Sequence, residues 1–145
     1  MTRITFYSQV DNRLTFAYRL VRKAYVKQIA MTIWGPMTIL EEFSQFLWKN
    51  EALSFIPHCY SDSANAAATP IILKADSSNH SDVTDTTYHT HYDLLLNLGT
   101  SLPSQFARFD RLFEILDCKP EVVRAGRERY RFYRDHGYGI DHHLI

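Results

Sequence analysis

The segment YDLLLNLG, residues 92–99, is almost continuously apolar. A strand with one solvated face alternates apolar and polar residues, whereas a short continuous apolar run is typical of a strand that is covered on both faces. Such strands occur mainly in parallel sheets, because the helices that connect parallel strands pack on both faces of the sheet. The run therefore favours a domain in which helices cover a largely parallel sheet.

Segments with helix and strand patterns alternate on both sides of this run. Apolar residues recur every three or four positions in residues 12–29 and 38–50, as on one face of a helix, and Asp11 or Asn12 can cap the first of these helices. A last helix is predicted over 120–135, because proline begins it and glycine follows it. The β-prone runs are RITFY at 3–7, MTIWG at 31–35, PIILKA at 70–75 and RLFEILD at 111–117. The alternation predicts an α/β fold with a mostly parallel sheet flanked by helices.

A chain of 145 residues is the size of one ordinary domain, so we expect residues 1–145 to form a single unit. Within it, residues 61–69 have the composition of a linker, and SQFARF at 104–109 is predicted to form a short helix. Residues 76–91, DSSNHSDVTDTTYHTH, contain polar turn formers and little apolar matter. This segment is predicted to be a mobile loop.

The composition indicates a cytoplasmic protein. The N-terminus lacks the apolar stretch of a signal peptide, and no apolar run approaches the roughly 20 residues that a membrane span needs. The two cysteines, Cys59 and Cys118, are far apart and form no CxxC pair, so we expect buried, reduced thiols. No membrane partner is predicted.

Motifs for catalysis or cofactor binding are absent from the sequence. Neither GxGxxG nor GxxxxGK[ST] occurs, and the turn after the first strand, SQVDNR, has no glycine that would let the backbone approach a phosphate. LGTSLP lacks the second glycine of a nucleophile elbow, and the histidines do not have the spacing of a zinc site. We therefore expect an α/β domain without a phosphate loop, with no cofactor, no metal and no active site.

The strongest local signal is RERYRFYR, residues 127–134, in a chain whose 16 Lys+Arg and 16 Asp+Glu cancel. At about 3.6 residues per turn, four of the five arginines of this helix share one arc, and Arg129 lies outside it. Tyr130 falls between the arc and a stripe predicted to be buried. The arc contains Arg124, Arg127, Arg131 and Arg134, and the stripe contains Val122, Gly126 and Tyr133.

Three interpretations of the arginine arc compete. It can be a solvated face on which Glu128 pairs with Arg124 or Arg131. It can hold phosphates while Tyr130 stacks on a base, which would make the helix a direct single-stranded nucleic-acid-binding module. It can also hold carboxylates while the apolar edge receives a hydrophobic side chain. A neutral chain lacks the broad basic surplus of a nucleic-acid-binding protein, so the arc favours a short acidic ligand.

Four segments together resemble the chi subunit of bacterial DNA polymerase III, a clamp-loader accessory protein. They are ITFY near the N-terminus, LWKNEALSFIPH at 47–58, LLLNLGTS, and the RERYRFYR helix. The resemblance implies a nucleotide-binding-like topology without a phosphate loop. It implies a non-catalytic subunit of a DNA-directed DNA polymerase that has no active site of its own. It also implies an adaptor that binds the acidic C-terminal tail of single-stranded-DNA-binding protein, a tail that ends in phenylalanine and a free carboxylate. DNA would then be contacted only indirectly.

The resemblance also assigns the tail-binding residues. Arg127 corresponds to the arginine that takes the terminal carboxylate, and Tyr130 to the ring that lines the phenylalanine pocket. Arg131 replaces a lysine of the best-known member, which changes a point charge into a planar fork. The apolar pocket positions are Leu116 and Val122, and Arg124 is a basic neighbour.

A second surface is implied for the psi subunit, which would form a 1:1 heterodimer with this chain and connect it to the clamp loader. It corresponds to Trp48, Phe55, Ile56, Pro57 and His58. In the same family a helicase-like repair protein competes for this patch. From the residues alone, Trp48 and Phe55 also suit a buried core, although aromatic residues held extended by a proline are typical of an interface.

Overall fold

The computed structural model describes residues 2–49, 58–60, 70–75, 93–103 and 106–145. The predicted linker at 61–69 and the predicted loop at 76–91 lie outside the described residues. The elements, in chain order, are β1 (Arg3–Ser8), α1 (Arg13–Val26), β2 (Met31–Gly35), α2 (Met37–Lys49), β3 (His58–Tyr60), β4 (Ile71–Ala75), β5 (Leu94–Asn97), a 3₁₀ turn (Phe106–Arg108), β6 (Arg111–Ile115), α3 (Pro120–Asp135) and β7 (Ile140–Leu144).

The described strands form one sheet in the order β3-β4-β2-β5-β6-β1-β7, and every pairing between them is parallel. β5 is the central strand, and each of its residues is buried. This is the segment whose apolar run predicted a strand covered on both faces. The α/β fold with a parallel sheet is confirmed.

The helices lie on opposite faces of the sheet. Side chains of a single strand show the division, because neighbouring residues of β1 point to different layers. Tyr7 packs against Phe16 of α1, with 4.9 Å between ring centroids, whereas Phe6 packs against Tyr133 of α3 at 6.0 Å. α1 and α2 thus share one apolar core with one face of the sheet, and α3 with the 3₁₀ turn covers the other.

The turn from β1 to α1 is closed by side chains instead of glycines. Asn12 caps α1, since its Oδ1 accepts a hydrogen bond from the Thr15 backbone N–H at 3.0 Å. Gln9 adopts a positive φ of 58° at the turn, and the Val10 N–H donates to the Leu116 carbonyl at 3.1 Å. This turn is therefore bonded to the end of β6.

α3 begins and ends where its sequence predicts. Proline occupies its first turn, and Gly137 follows the helix with a φ of 82°, a conformation that favours glycine. Gly126, in the middle of the helix, allows a close approach to Leu116. A Cβ at this position would lie 2.6 Å from either Leu116 methyl carbon.

Three expectations differ from the structure. Residues 140–144, left unassigned from the sequence, form the edge strand β7 beside β1, because backbone pairing to β1 is possible without an apolar pattern. The short helix expected at 104–109 is a 3₁₀ turn over Phe106–Arg108. The thiol of Cys118 is free and exposed, not buried, because Cys118 precedes the first turn of α3 at the surface.

Candidate functional site

A groove lies between α3 and the carboxyl ends of β1, β6 and β7. Its volume is about 490 Å³, within the range of ordinary ligand pockets. β1 and β6 are neighbours, but the helix after β1 packs on one face of the sheet and the helix after β6 packs on the other. Open α/β sheets bind ligands at such a switch point, so the fold itself leaves this crevice.

The floor of the groove is apolar. Leu116 at the end of β6 lines it together with Gly126 and Val123 of α3. Tyr130 is half-buried and makes an edge contact with Phe6 of β1, with ring centroids 5.3 Å apart. A hydrophobic side chain that entered the groove would meet aromatic rings and leucine methyl groups, and little that needs a hydrogen bond.

Arginines surround one end of this floor. Arg127 is exposed and lines the groove, and it also lines an adjoining recess of about 520 Å³ that Arg124 and Arg131 share. Within the described part of the chain, no ion pair or hydrogen bond engages these three guanidinium groups. The pairing with Glu128 considered from the sequence is not formed, and the three groups are available to an anion.

The structure brings together five of the six residues predicted to bind a peptide tail. Leu116, Arg127 and Tyr130 line the groove, and Arg124 and Arg131 line the recess. Val122 is the exception, because it is only 5% exposed and packs in the core beneath α3. The neighbouring Val123 lines the groove instead.

Arg134, the fourth arginine of the arc, lies in the last turn of α3 and lines neither cavity. Its guanidinium is 3.5 Å from the carboxylate of Asp135, and both side chains are exposed. The helical arc of four arginines thus divides into three at the groove and one beyond it.

The wall opposite α3 belongs to β7 and was missed from the sequence, since β7 itself was not predicted. His142 lines the groove, and its Nε2 lies 2.7 Å from the Ser8 hydroxyl at the end of β1. Leu144 also lines the groove and is 68% exposed. An exposed ion pair at 2.8 Å joins Arg3 of β1 to Asp141 of β7, and the hydrogen bond from Arg3 lowers the pKa of the Asp141 carboxyl.

A buried polar network fixes α3 on the sheet. Arg129 points away from the groove, and its Nε donates to the Glu114 carboxylate of β6 at 3.0 Å. The Tyr133 hydroxyl donates to the same oxygen at 2.7 Å, and Asn97 of β5 donates to the other oxygen at 3.1 Å. Arg129 also donates to the Thr100 carbonyl at 2.6 Å. The four side chains of this network are buried, so their hydrogen bonds fix the rotation of α3 about its axis.

Burial and, next, the adjacent Glu114 carboxylate raise the pKa of Tyr133 far above its ordinary value of 10.0. The phenol is therefore a proton donor throughout the neutral range. The sequence contained two signals of this network. Arg129 lay outside the arc of the other arginines, and Glu114 lay between the apolar residues Phe113 and Ile115 in a predicted strand.

Of the second predicted surface, the structure describes two residues. Trp48, at the end of α2, is 56% exposed, and its ring centroid lies 5.5 Å from that of His58 in β3. The His58 Nε2 is 3.0 Å from the Ser44 hydroxyl. Phe55, Ile56 and Pro57 lie outside the described residues.

The described residues contain no cluster of three or more His, Cys, Asp or Glu side chains that could hold a metal ion. Among the described helices, none combines the length and the apolar character that a membrane crossing requires.

Two comparisons with known proteins agree. A family model described as DNA polymerase III chi subunit, HolC, matches residues 1–141. The chain is also 28% identical over 150 aligned residues to a Pseudomonas aeruginosa protein named DNA polymerase III subunit chi, and the alignment covers 100% of this chain and 98% of that protein. Both matches include β1, β6 and α3, the elements that form the groove floor and the arginine recess.

Proposed function

The chain belongs to the DNA polymerase III chi subunit family, which implies an accessory role in the replisome, and from this premise we propose that it is a non-catalytic, cytoplasmic adaptor for an acidic protein tail. The tail is that of single-stranded-DNA-binding protein. The observation that carries the proposal is an apolar groove with three arginines beside it that pair with no described residue.

The groove suits the end of a chain that terminates in phenylalanine. The aromatic ring would lie on Leu116 and Gly126, against the edge of Tyr130, where its burial contributes apolar contact. The terminal carboxylate would reach Arg127 at the rim and accept a charge-assisted hydrogen bond. A ring that lacked a nearby anion, or an anion that lacked a ring, would use only half of this site.

Acidic residues that precede the phenylalanine would lie in the recess formed by Arg124 and Arg131. Arg127 and Glu128 also line this recess, so its three arginines and one glutamate leave a local excess of two positive charges there. The carboxylates of the tail would contact guanidinium groups that already face solvent, so little internal structure must break. We expect micromolar affinity, which is typical of a small transient interface.

Direct binding of single-stranded DNA by the same helix is the alternative. It requires exposed rings on which bases can stack. Tyr130 is half-buried and its ring contacts Phe6, so the groove supports peptide capture better than base stacking.

The second part of the proposal concerns the psi subunit, which would bind in a 1:1 complex at the surface around Trp48 and His58. The support is the exposure of a tryptophan, since aromatic anchors dominate many protein interfaces. A helicase-like repair protein would compete for this surface. Trp48 lies on α2, across the sheet from α3, so both partners could bind together.

Calorimetric titration with a short acidic peptide ending in phenylalanine tests the proposal. Arg127→Ala, or amidation of the peptide terminus, is expected to weaken binding by about 1.5–3 kcal/mol, because a hydrogen bond to a charged group is lost. Arg134→Ala removes an arginine of the same helix that lines neither cavity, and it should leave the affinity unchanged.

Trp48→Ala is the reciprocal variant in the same titrations, expected to lose psi and to retain the peptide. Equal peptide affinity for the wild type and Arg127→Ala would contradict the tail-binding site. A single-stranded oligonucleotide that bound more tightly than the peptide, with a steep dependence on salt, would favour the alternative.

A further inference from the structure

The outer face of α1 is a second basic surface. The helix Arg13–Val26 contains four basic residues and no acidic residue, and Lys27 follows at its C-cap. At about 100° per residue, the exposed basic side chains fall within an arc of about 140° on the outer side of the helix. They are Arg19, Arg22, Lys23 and Lys27.

Within the described ranges of the chain, these four cations have no acidic partner. No ion pair or hydrogen bond between described residues involves their side chains. The neighbouring helix α2 exposes Glu41 and Glu42, and neither carboxylate pairs with α1. In a chain with net charge +0, this strip is a concentrated positive field.

The shape of the strip distinguishes it from the groove on α3. It is the convex side of a helix, and the one exposed apolar residue within it is Val26, at 72%. None of the cavities described above includes its four cations. Such a surface has no place for a hydrophobic side chain and no exposed ring for base stacking, so it can contact only a row of charges.

We infer that the outer face of α1 binds the phosphate backbone of duplex DNA, independently of sequence. From Arg19 to Lys27 the helix rises about 12 Å, at about 1.5 Å per residue. Along a duplex strand this distance covers three to four phosphates, at about 3.4 Å of axial rise each. The cations of this face thus extend over the length of three to four phosphates, and a convex charged face can contact a polyanion in more than one register. A DNA polymerase produces duplex DNA, so duplex DNA is the polyanion that an accessory subunit of the polymerase would meet.

The placement of α1 makes this contact compatible with the proposed tail site. α1 and α3 lie on opposite faces of the sheet, so a bound duplex and a bound tail would not meet. The DNA contact would be weak alone, in the range of about 10⁻⁴ to 10⁻⁶ M for non-specific binding. It would gain effective strength once a partner held the subunit near DNA.

Fluorescence anisotropy with a labelled 20-base-pair duplex, measured on the full chain from low to physiological salt, tests the inference. The variant Arg19→Gln, Arg22→Gln, Lys23→Gln, Lys27→Gln keeps good helix formers at exposed positions. We expect it to lose at least tenfold in affinity at low salt. The slope of log K against log salt should be about −3 to −4 for the wild type, at about −0.9 per phosphate contacted, and close to zero for the variant.

The matched control is Arg124→Gln with Arg131→Gln, which removes cations from α3 and should leave duplex affinity within about twofold. Circular dichroism and unchanged binding of the acidic peptide would verify that the α1 variant is folded. Unchanged duplex binding by the α1 variant, or loss in the α3 control, would overturn the inference. So would tighter binding of a single strand of equal length, or of polyglutamate, since α1 would then serve another partner.

Discussion

α1 and α3 cover opposite faces of one sheet, and both expose rows of basic side chains, yet they are fixed to the sheet in different ways. The buried residues of α1 are Ala17, Val21 and Ala24, which are small and apolar. Those of α3 include Arg129 and Tyr133, which bond to a buried glutamate. Apolar packing tolerates small rotations of a helix, whereas a hydrogen-bonded network specifies one arrangement.

The difference matches the role that we propose for each helix. A convex row of cations would contact a long polyanion in many registers, so the rotation of α1 needs little precision. A groove that receives one ring and one carboxylate needs Arg127 and Tyr130 at set positions relative to Leu116. The polar network thus lies beneath the helix whose outer face has the more exacting geometry.

Glu114→Gln should have the largest effect, because it disrupts the buried network that distinguishes α3 from α1. It removes the charge partner of Arg129 and leaves an uncompensated guanidinium in the interior, which typically lowers the free energy of unfolding by about 3–5 kcal/mol. Urea denaturation measures the loss, and Glu41→Gln on the exposed surface of α2 is the control. A loss below about 1 kcal/mol would show that the network does not hold α3.

Tyr133→Phe tests the same network through pH. Because the pKa of Tyr133 is raised in the folded state, the native protein binds more protons than the unfolded chain above pH 10.0, and stability falls as pH rises through that range. The variant lacks this proton, so its stability should decline less between pH 10 and 11. At neutral pH it should be less stable by about 1–3 kcal/mol, for the lost hydrogen bond to a carboxylate. If the stability of both proteins fell equally between pH 10 and 11, the raised pKa of Tyr133 would be contradicted.

Asp141→Asn should change stability least of the three variants. Its ion pair with Arg3 is exposed, whereas the ion pair between Arg129 and Glu114 is buried. The lowered pKa of Asp141 means that the pair stabilises the protein above pH 3.8 and that this contribution is lost as pH falls through the folded value. Thermal melts at pH 3 and pH 6 should show a slightly weaker acid dependence in the variant. A loss of stability as large as that of Glu114→Gln would show that the exposed ion pair contributes as much as the buried one.

The strongest patterns in the sequence predicted the elements on which the site is built. The apolar run of β5 required cover on both faces, and Pro120 with Gly137 bounded α3, so the parallel sheet and the arginine helix followed. β7 could not be predicted in this way, because an edge strand needs only backbone pairing and its side chains are mostly exposed. Val122 was assigned to the pocket by the resemblance, whereas the helical periodicity had placed it in the buried stripe, and its burial in the structure agrees with the periodicity.

The shape of the groove floor depends on one residue of α3, Gly126, which Leu116 approaches closely. Alanine is the better helix former by about 1 kcal/mol, but a β-carbon here would lie 2.6 Å from the Leu116 methyl carbons, so Leu116, which lines the groove, would have to shift. One added methyl group would therefore alter the floor of the groove and leave every charge of the surface in place. The open shape of the groove floor therefore depends on the absence of a β-carbon at Gly126.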